Sequence, residues 1–143
     1  MLNLLTVVDS GWTFFNKTGL YYRYFESRQS WAEARCSCQL QGQDGELASV
    51  PDNTTNTFIL NLAPRYTWLG GYQENGTEDG APWSWSDGSV WEFENWRNGE
   101  PNNVGGHQDY LGIWAEKWND WPLDGHLDSQ IPILGFLCQK KGQ

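Results

Sequence analysis

Apolar positions in residues 31–41, WAEARCSCQLQ, recur with a helical period: Trp31, Ala34 and Cys38 fall at i, i+3 and i+7 and form one stripe. Cys36 sits two residues from Cys38, roughly 200° away around such a helix, so Cys38 is expected inward and Cys36 outward. Ser30 and Glu33 have the spacing of a reciprocal N-terminal cap, and Gly42 is placed as a stop. DNTTNTFILNLAP predicts a second helix that opens near Asn53 or Thr54, buries Phe58, Ile59 and Leu62, and ends before Pro64.

Elsewhere short runs alternate as strands do: LYYRYF, TWLGGY, PWSWSDGSVWEF, DYLGIW, EKWND and ILGFLCQ. Asp87-Gly88 predicts a tight hairpin turn inside the third of these. Between about Gly70 and Gln108 the chain is polar, rich in Gly and Asn, studded with Trp and without regular period, which points to functional loops. The fold class expected is α+β: two early helices, then mostly antiparallel strands with a long loop region.

With 143 residues, 38% of them hydrophobic and ten of them Trp, the chain has material for one core and one domain, expected over residues 11–140. Residues 1–10, MLNLLTVVDS, lack a basic start and a long enough apolar stretch for a secretory signal, and read as a remnant or a mature N-terminal strand. A net charge of −9 disfavours nucleic acid and anionic membranes. No run reaches the ~18 apolar residues of a membrane span. N-x-[ST] triplets begin at Asn16, Asn53 and Asn75, a pattern that suits secretion.

The loop NWRNGEPNNVGGHQDY concentrates oxygen donors in a segment too rich in glycine for a helix or central strand, so a hard-cation site, a polar-ligand site and a plain solvated loop are all open. W-x-x-A-x-x-x-C (Trp31 to Cys38), TWLGG, WSWSDGS, NWRNGEPNN, WND (Trp118 to Asp120) and FLCQK follow one another along the chain. In that order, over about residues 11–140, they resemble the C-type lectin family. EPN alone would be weak evidence; the spaced set is specific.

The resemblance implies a C-type lectin-like fold and a disulfide from Cys38 to Cys138, worth roughly 4 to 5 kcal/mol in the chain-entropy model and suited to an extracellular compartment. A second bridge common in the family has Tyr110 and a point in WPLDGH at its positions, so metal or Trp packing must replace it. Cys36 is left over, as a free surface thiol or as the link of a homodimer.

In this family the Glu-Pro bond is cis, and the resemblance assigns Ca²⁺ and sugar to Glu100, Asn102, Gln108, Asn119 and Asp120. Vicinal sugar hydroxyls complete the ion's coordination. Glu-Pro-Asn, rather than Gln-Pro-Asp, implies glycans with equatorial 3- and 4-hydroxyls: mannose, glucose, GlcNAc, or suitably oriented fucose. Gln108 stands where the family has Glu, which lowers the carboxylates from three to two and implies weak calcium affinity, around 10⁻⁴ to 10⁻³ M. An auxiliary calcium site is not expected, since its acidic positions map near Gln73, Thr77 or Glu78, and Asn103.

Trp31, Trp68, Trp83, Trp85 and Trp96 fall at family core positions with their indole N–H groups satisfied, whereas Trp114 and Trp121 flank the site and are the candidates for ligand contact. His107 and His126 read as surface loop residues. The leading function is a secreted, non-enzymatic, calcium-dependent lectin. The alternative is a non-sugar protein- or mineral-binding module on the same fold. A hydrolase using Glu100 and Asp120 is disfavoured, because carboxylates sharing one Ca²⁺ lack the raised pKa of a general acid.

Overall fold

The computed structural model describes residues 11–63, 65–74, 81–126 and 132–142. The segment 1–10, Pro64, the Asn75 triplet, Thr77 and Glu78 lie outside the described residues. The described chain opens with a hairpin, β1 (Thr13–Phe15) and β2 (Leu20–Phe25), turned at Gly19, whose φ is +75°. Helix α1 (Trp31–Gln39) follows, with both hydrogen bonds of the Ser30/Glu33 cap present. Trp31, Ala34 and Cys38 are buried and Cys36 is exposed, as the periodicity requires. The helix stops short of Gln41, because Gln41 N–H closes on Cys38 O and tightens the last turn.

After β3 (Glu46–Leu47), helix α2 (Asn53–Leu62) starts behind Asp52, whose carboxylate accepts from Thr55 N–H at 2.8 Å. Its buried face differs from the expected one. Ile59 is buried, together with Thr55 and Asn56, whereas Phe58 and Leu62 are half-buried. The helix lies at the rim of the core, where Phe58 stacks on Phe15 of the first hairpin at 4.2 Å.

The remaining strands are β4 (Thr67–Tyr72), β5 (Ser84–Trp85), β6 (Tyr110–Trp114), β7 (Lys117–Trp121) and β8 (Gly135–Lys140). They form a sheet of order β1-β2-β8-β4-β6-β7, with β3 paired to β8 and β5 to β4; among the described strands only the β4–β8 pair is parallel. Cys38 on α1 bonds to Cys138 on β8, both fully buried, closing 100 residues of chain. No described helix is long and apolar enough to cross a membrane.

The hairpin expected over residues 82–93 is only partly formed. Asp87-Gly88 does turn, with Gly88 at φ +83°, but strand pairing is confined to Ser84–Trp85. Beyond the turn the backbone leaves the sheet, and Trp91 enters an aromatic cluster, 4.5 Å from Trp85 and 5.8 Å from Trp118. Burial of ring surface there replaces ladder hydrogen bonds.

Two core clusters result, one around Trp85, Trp118, Leu111 and Ile113, the other around Trp31, Trp68, Trp121 and the disulfide. Trp31 and Trp68 donate their indole N–H to Leu69 O and Gln29 O, as expected. Trp85 does not: its Nε1 is buried without a hydrogen-bond partner, set edge-on to Trp118 at 90° among aromatic rings. Trp96 is half-buried at the cluster's margin.

Candidate functional site

The β6–β7 hairpin turns through Ala115 and Glu116, both with positive φ, and so fixes the register that presents Asn119 and Asp120. The loop before β6 is laced to β7 by Arg97 N–H to Trp118 O (2.9 Å) and Trp118 N–H to Asn95 O (2.8 Å). That lacing carries the triplet to the strand. The Glu100-Pro101 bond is cis, as expected. Asp120, fully buried, accepts from Asn103 N–H at 2.7 Å and from Asn102 N–H at 3.4 Å. Asn102 Nδ2 donates to Glu100 Oε2 at 3.1 Å, and Glu100 shares a hydrogen bond with Asp120.

Glu100, Asn102 and Asp120 therefore converge. Gln108, also buried, braces them: its Oε1 accepts from Val104 N–H at 3.1 Å, and the same N–H lies 3.3 Å from Asn102 Oδ1. The buried side chain of Asn119 sends Nδ2 to Asp120 O at 3.1 Å and leaves Oδ1 without a hydrogen-bond partner. An orphaned buried carbonyl oxygen costs about 1–3 kcal/mol unless something else satisfies it. Where the resemblance places a second bridge, Tyr110 packs on Trp31 at 4.8 Å, and Trp31 N–H donates to Leu123 O at 2.9 Å.

Desolvation pushes the Glu100 carboxyl up to about 7, and the hydrogen bond and negative charge of Asp120 add to the rise against a smaller pull from Asn102 N–H and Arg97. Between roughly pH 4.5 and 7 the metal-free fold then holds more protons at Glu100 than the unfolded chain does. Its contribution to stability should fall as pH rises through that window, by about 1 kcal/mol after solvent screening. Urea unfolding in chelator should show wild type losing ground to Glu100→Gln from pH 5 to 7.5; parallel pH profiles would contradict this.

Neither tryptophan expected to touch ligand is placed to do so. Trp121 is fully buried against Trp68 and Trp114, and half-buried Trp114 is covered by the Arg97 guanidinium at 4.7 Å. The aromatic surface near the triplet comes instead from Trp83, Trp91 and Trp96, which line a cleft of about 730 Å³ together with Glu94, Glu100 and Asn102. The signal in the sequence was the density of Trp just before the triplet. Gln73 and Asn103 face the same cleft and bring no carboxylate. His107 and His126 are exposed in loops. Among the described residues no three His, Cys, Asp or Glu side chains cluster as a metal site.

Glu100 and Asp120 hydrogen-bond to each other, so they lack the roughly 5 to 9.5 Å separation of a glycosidase pair, although the Glu100 pKa alone would suit an acid.

The family model "Lectin C-type domain" matches residues 27–130. The versican core protein of Rattus norvegicus is 33% identical over 136 residues, 92% of this chain, and the chain spans about 4% of its length. The solved cow C-type carbohydrate-recognition domain of CD23, in the presence of GlcNAc2Man3 oligosaccharide, superposes with a TM-score of 0.74 at 23% identity, covering 94% of this chain and 95% of that one. A calcium-independent type II antifreeze protein does so with a TM-score of 0.74 at 24% identity, covering 92% of each chain.

Proposed function

Because the chain belongs to the C-type lectin domain family, whose domains bind without catalysing, we propose that it is an extracellular, calcium-dependent receptor for mannose-type glycans. The observation that carries the reading is the convergence of Glu100, Asn102 and Asp120, with two carboxylates in contact and the carbonyl of Asn119, the residue before Asp120, buried without a hydrogen-bond partner. A cation there would relieve both the like-charge repulsion and the orphaned oxygen. The donor set is carboxylate and amide oxygen throughout, which suits Ca²⁺ and not a softer ion.

Glu100, Asp120, Asn102 and Asn119 would hold the ion, with Gln108 offering its second lone pair or bracing the loop. When bound, calcium supplies open positions for two vicinal hydroxyls. The carboxylates of the triplet and strand would accept from those hydroxyls, and the Asn102 and Asn119 amides would donate to them. Two carboxylates imply weak calcium affinity, around 10⁻⁴ to 10⁻³ M, adequate outside cells. Cys36, exposed on α1, would add valency by linking two copies. A dimer on non-reducing gels that Cys36→Ser removes supports that link; a monomeric wild type rules it out.

The triplet is tested by exchanging its ends. Glu100→Gln with Asn102→Asp conserves charge and size but reverses which side of Pro101 offers acceptors. Calcium affinity should change by less than about threefold while mannose affinity falls at least about tenfold. A gain for galactose should be smaller, because buried Trp121 and Arg97-covered Trp114 offer no apolar platform. Undiminished mannose binding in the double variant would remove the sugar from this triplet.

A second reading, a module that binds protein or mineral without calcium, is favoured by the way Asn102 donates to Glu100 while Asn102 Oδ1 and Gln108 Oε1 both accept from Val104 N–H, which engages these oxygens within the loop. Likeness to a calcium-independent antifreeze protein agrees with it.

A further inference from the structure

We infer that the cleft beside the triplet is a subsite for a second sugar ring, so that linked hexoses are recognised rather than single terminal residues; this rests on the lectin reading above. The cleft, about 730 Å³, is continuous with Glu100 and Asn102, which line its rim. Its volume lies within the range of small-ligand pockets. One wall is aromatic: Trp83 and Trp91 lie 6.1 Å apart at 29°, and Trp96 meets Trp83 at 4.9 Å. Trp91 and Trp96 are half-buried, so both keep ring surface at the cleft.

Trp91 Nε1 donates to Glu94 Oε2 at 2.8 Å, which fixes the plane of that indole. Gln73 and Asn103 add amides to the lining, and no Lys or Arg is among the described lining residues. An anionic ligand would find no counter-charge there. A second calcium ion would find amides and, beyond the triplet, Glu94 as the one carboxylate among the described lining residues. A neutral ring with an apolar C–H face for the indoles and hydroxyls for the amides and Glu94 matches all three surfaces.

Calorimetry at saturating calcium should compare methyl α-mannoside with a linear mannotriose. Three equivalent rings give only about a threefold statistical gain; the subsite predicts that mannotriose binds at least about tenfold tighter. Glu94→Ala, at an exposed position, should bring that ratio back toward threefold and leave the methyl mannoside isotherm unchanged. Trp91→Phe should do the same, with its melting curve checked because Trp91 also packs on Trp85 and Trp118. A wild-type ratio of about three or less overturns the subsite, as does a larger ratio that neither variant reduces. If methyl α-mannoside shows no calcium-dependent binding, the lectin reading fails first and the subsite falls with it.

Discussion

Asp120→Asn is expected to abolish measurable calcium binding, lowering affinity by at least about a hundredfold, and to take mannose binding with it. The change keeps size and shape but leaves Glu100 as the sole carboxylate of the converged set, and carboxylate count is a main control of calcium affinity. It also inserts an amide where both carboxylate oxygens accept from the backbone, one from Asn103 N–H and one from Asn102 N–H. However the amide turns, an NH₂ faces an N–H in a fully buried position, at a cost of about 1–3 kcal/mol. Relief of the charge and hydrogen bond of Asp120 should draw the Glu100 pKa back toward the ordinary carboxylate range. Calcium titration and the pH profile of chelated protein check both consequences. An Asp120→Asn variant with wild-type calcium affinity would place the ion elsewhere.

Removing the disulfide should have the largest effect on stability. Cys38 and Cys138 close 100 residues, for which the loop-entropy model gives roughly 4 to 5 kcal/mol, against a total of about 5–15 kcal/mol for a typical domain. Cys38→Ala with Cys138→Ala should therefore melt about 15 °C lower, with Cys36→Ser, at an exposed position, as a neutral control. A drop below about 5 °C would mean that aromatic packing around Trp31, Trp68 and Trp121, rather than the bridge, secures α1 to the sheet.

Helix α1 was legible because its signals are local: a stripe at Trp31, Ala34 and Cys38, and a cap at Ser30 and Glu33. The faces of α2 were not, because hydrophobicity marked Phe58 and Leu62 while burial depends on where the helix meets the sheet. PWSWSDGSVWEF alternates like a hairpin, but its second arm follows Trp91 into the aromatic cluster, a destination no local pattern encodes. Convergence of Glu100, Asn102 and Asp120 was legible only through motifs far apart in sequence, since it depends on lacing between Asn95, Arg97 and Trp118. The cleft on Trp83, Trp91 and Trp96 is a tertiary feature and left only a density of Trp to notice.

The central claim is that sugar is held through a calcium ion on Glu100, Asn102, Asn119 and Asp120. Titration of methyl α-mannoside into the protein by calorimetry, first with millimolar calcium and then with excess chelator, tests it most directly. A saturable isotherm in calcium that vanishes in chelator and returns when calcium is restored is the predicted result. Binding that persists in chelator, or no binding at any calcium concentration, would contradict it.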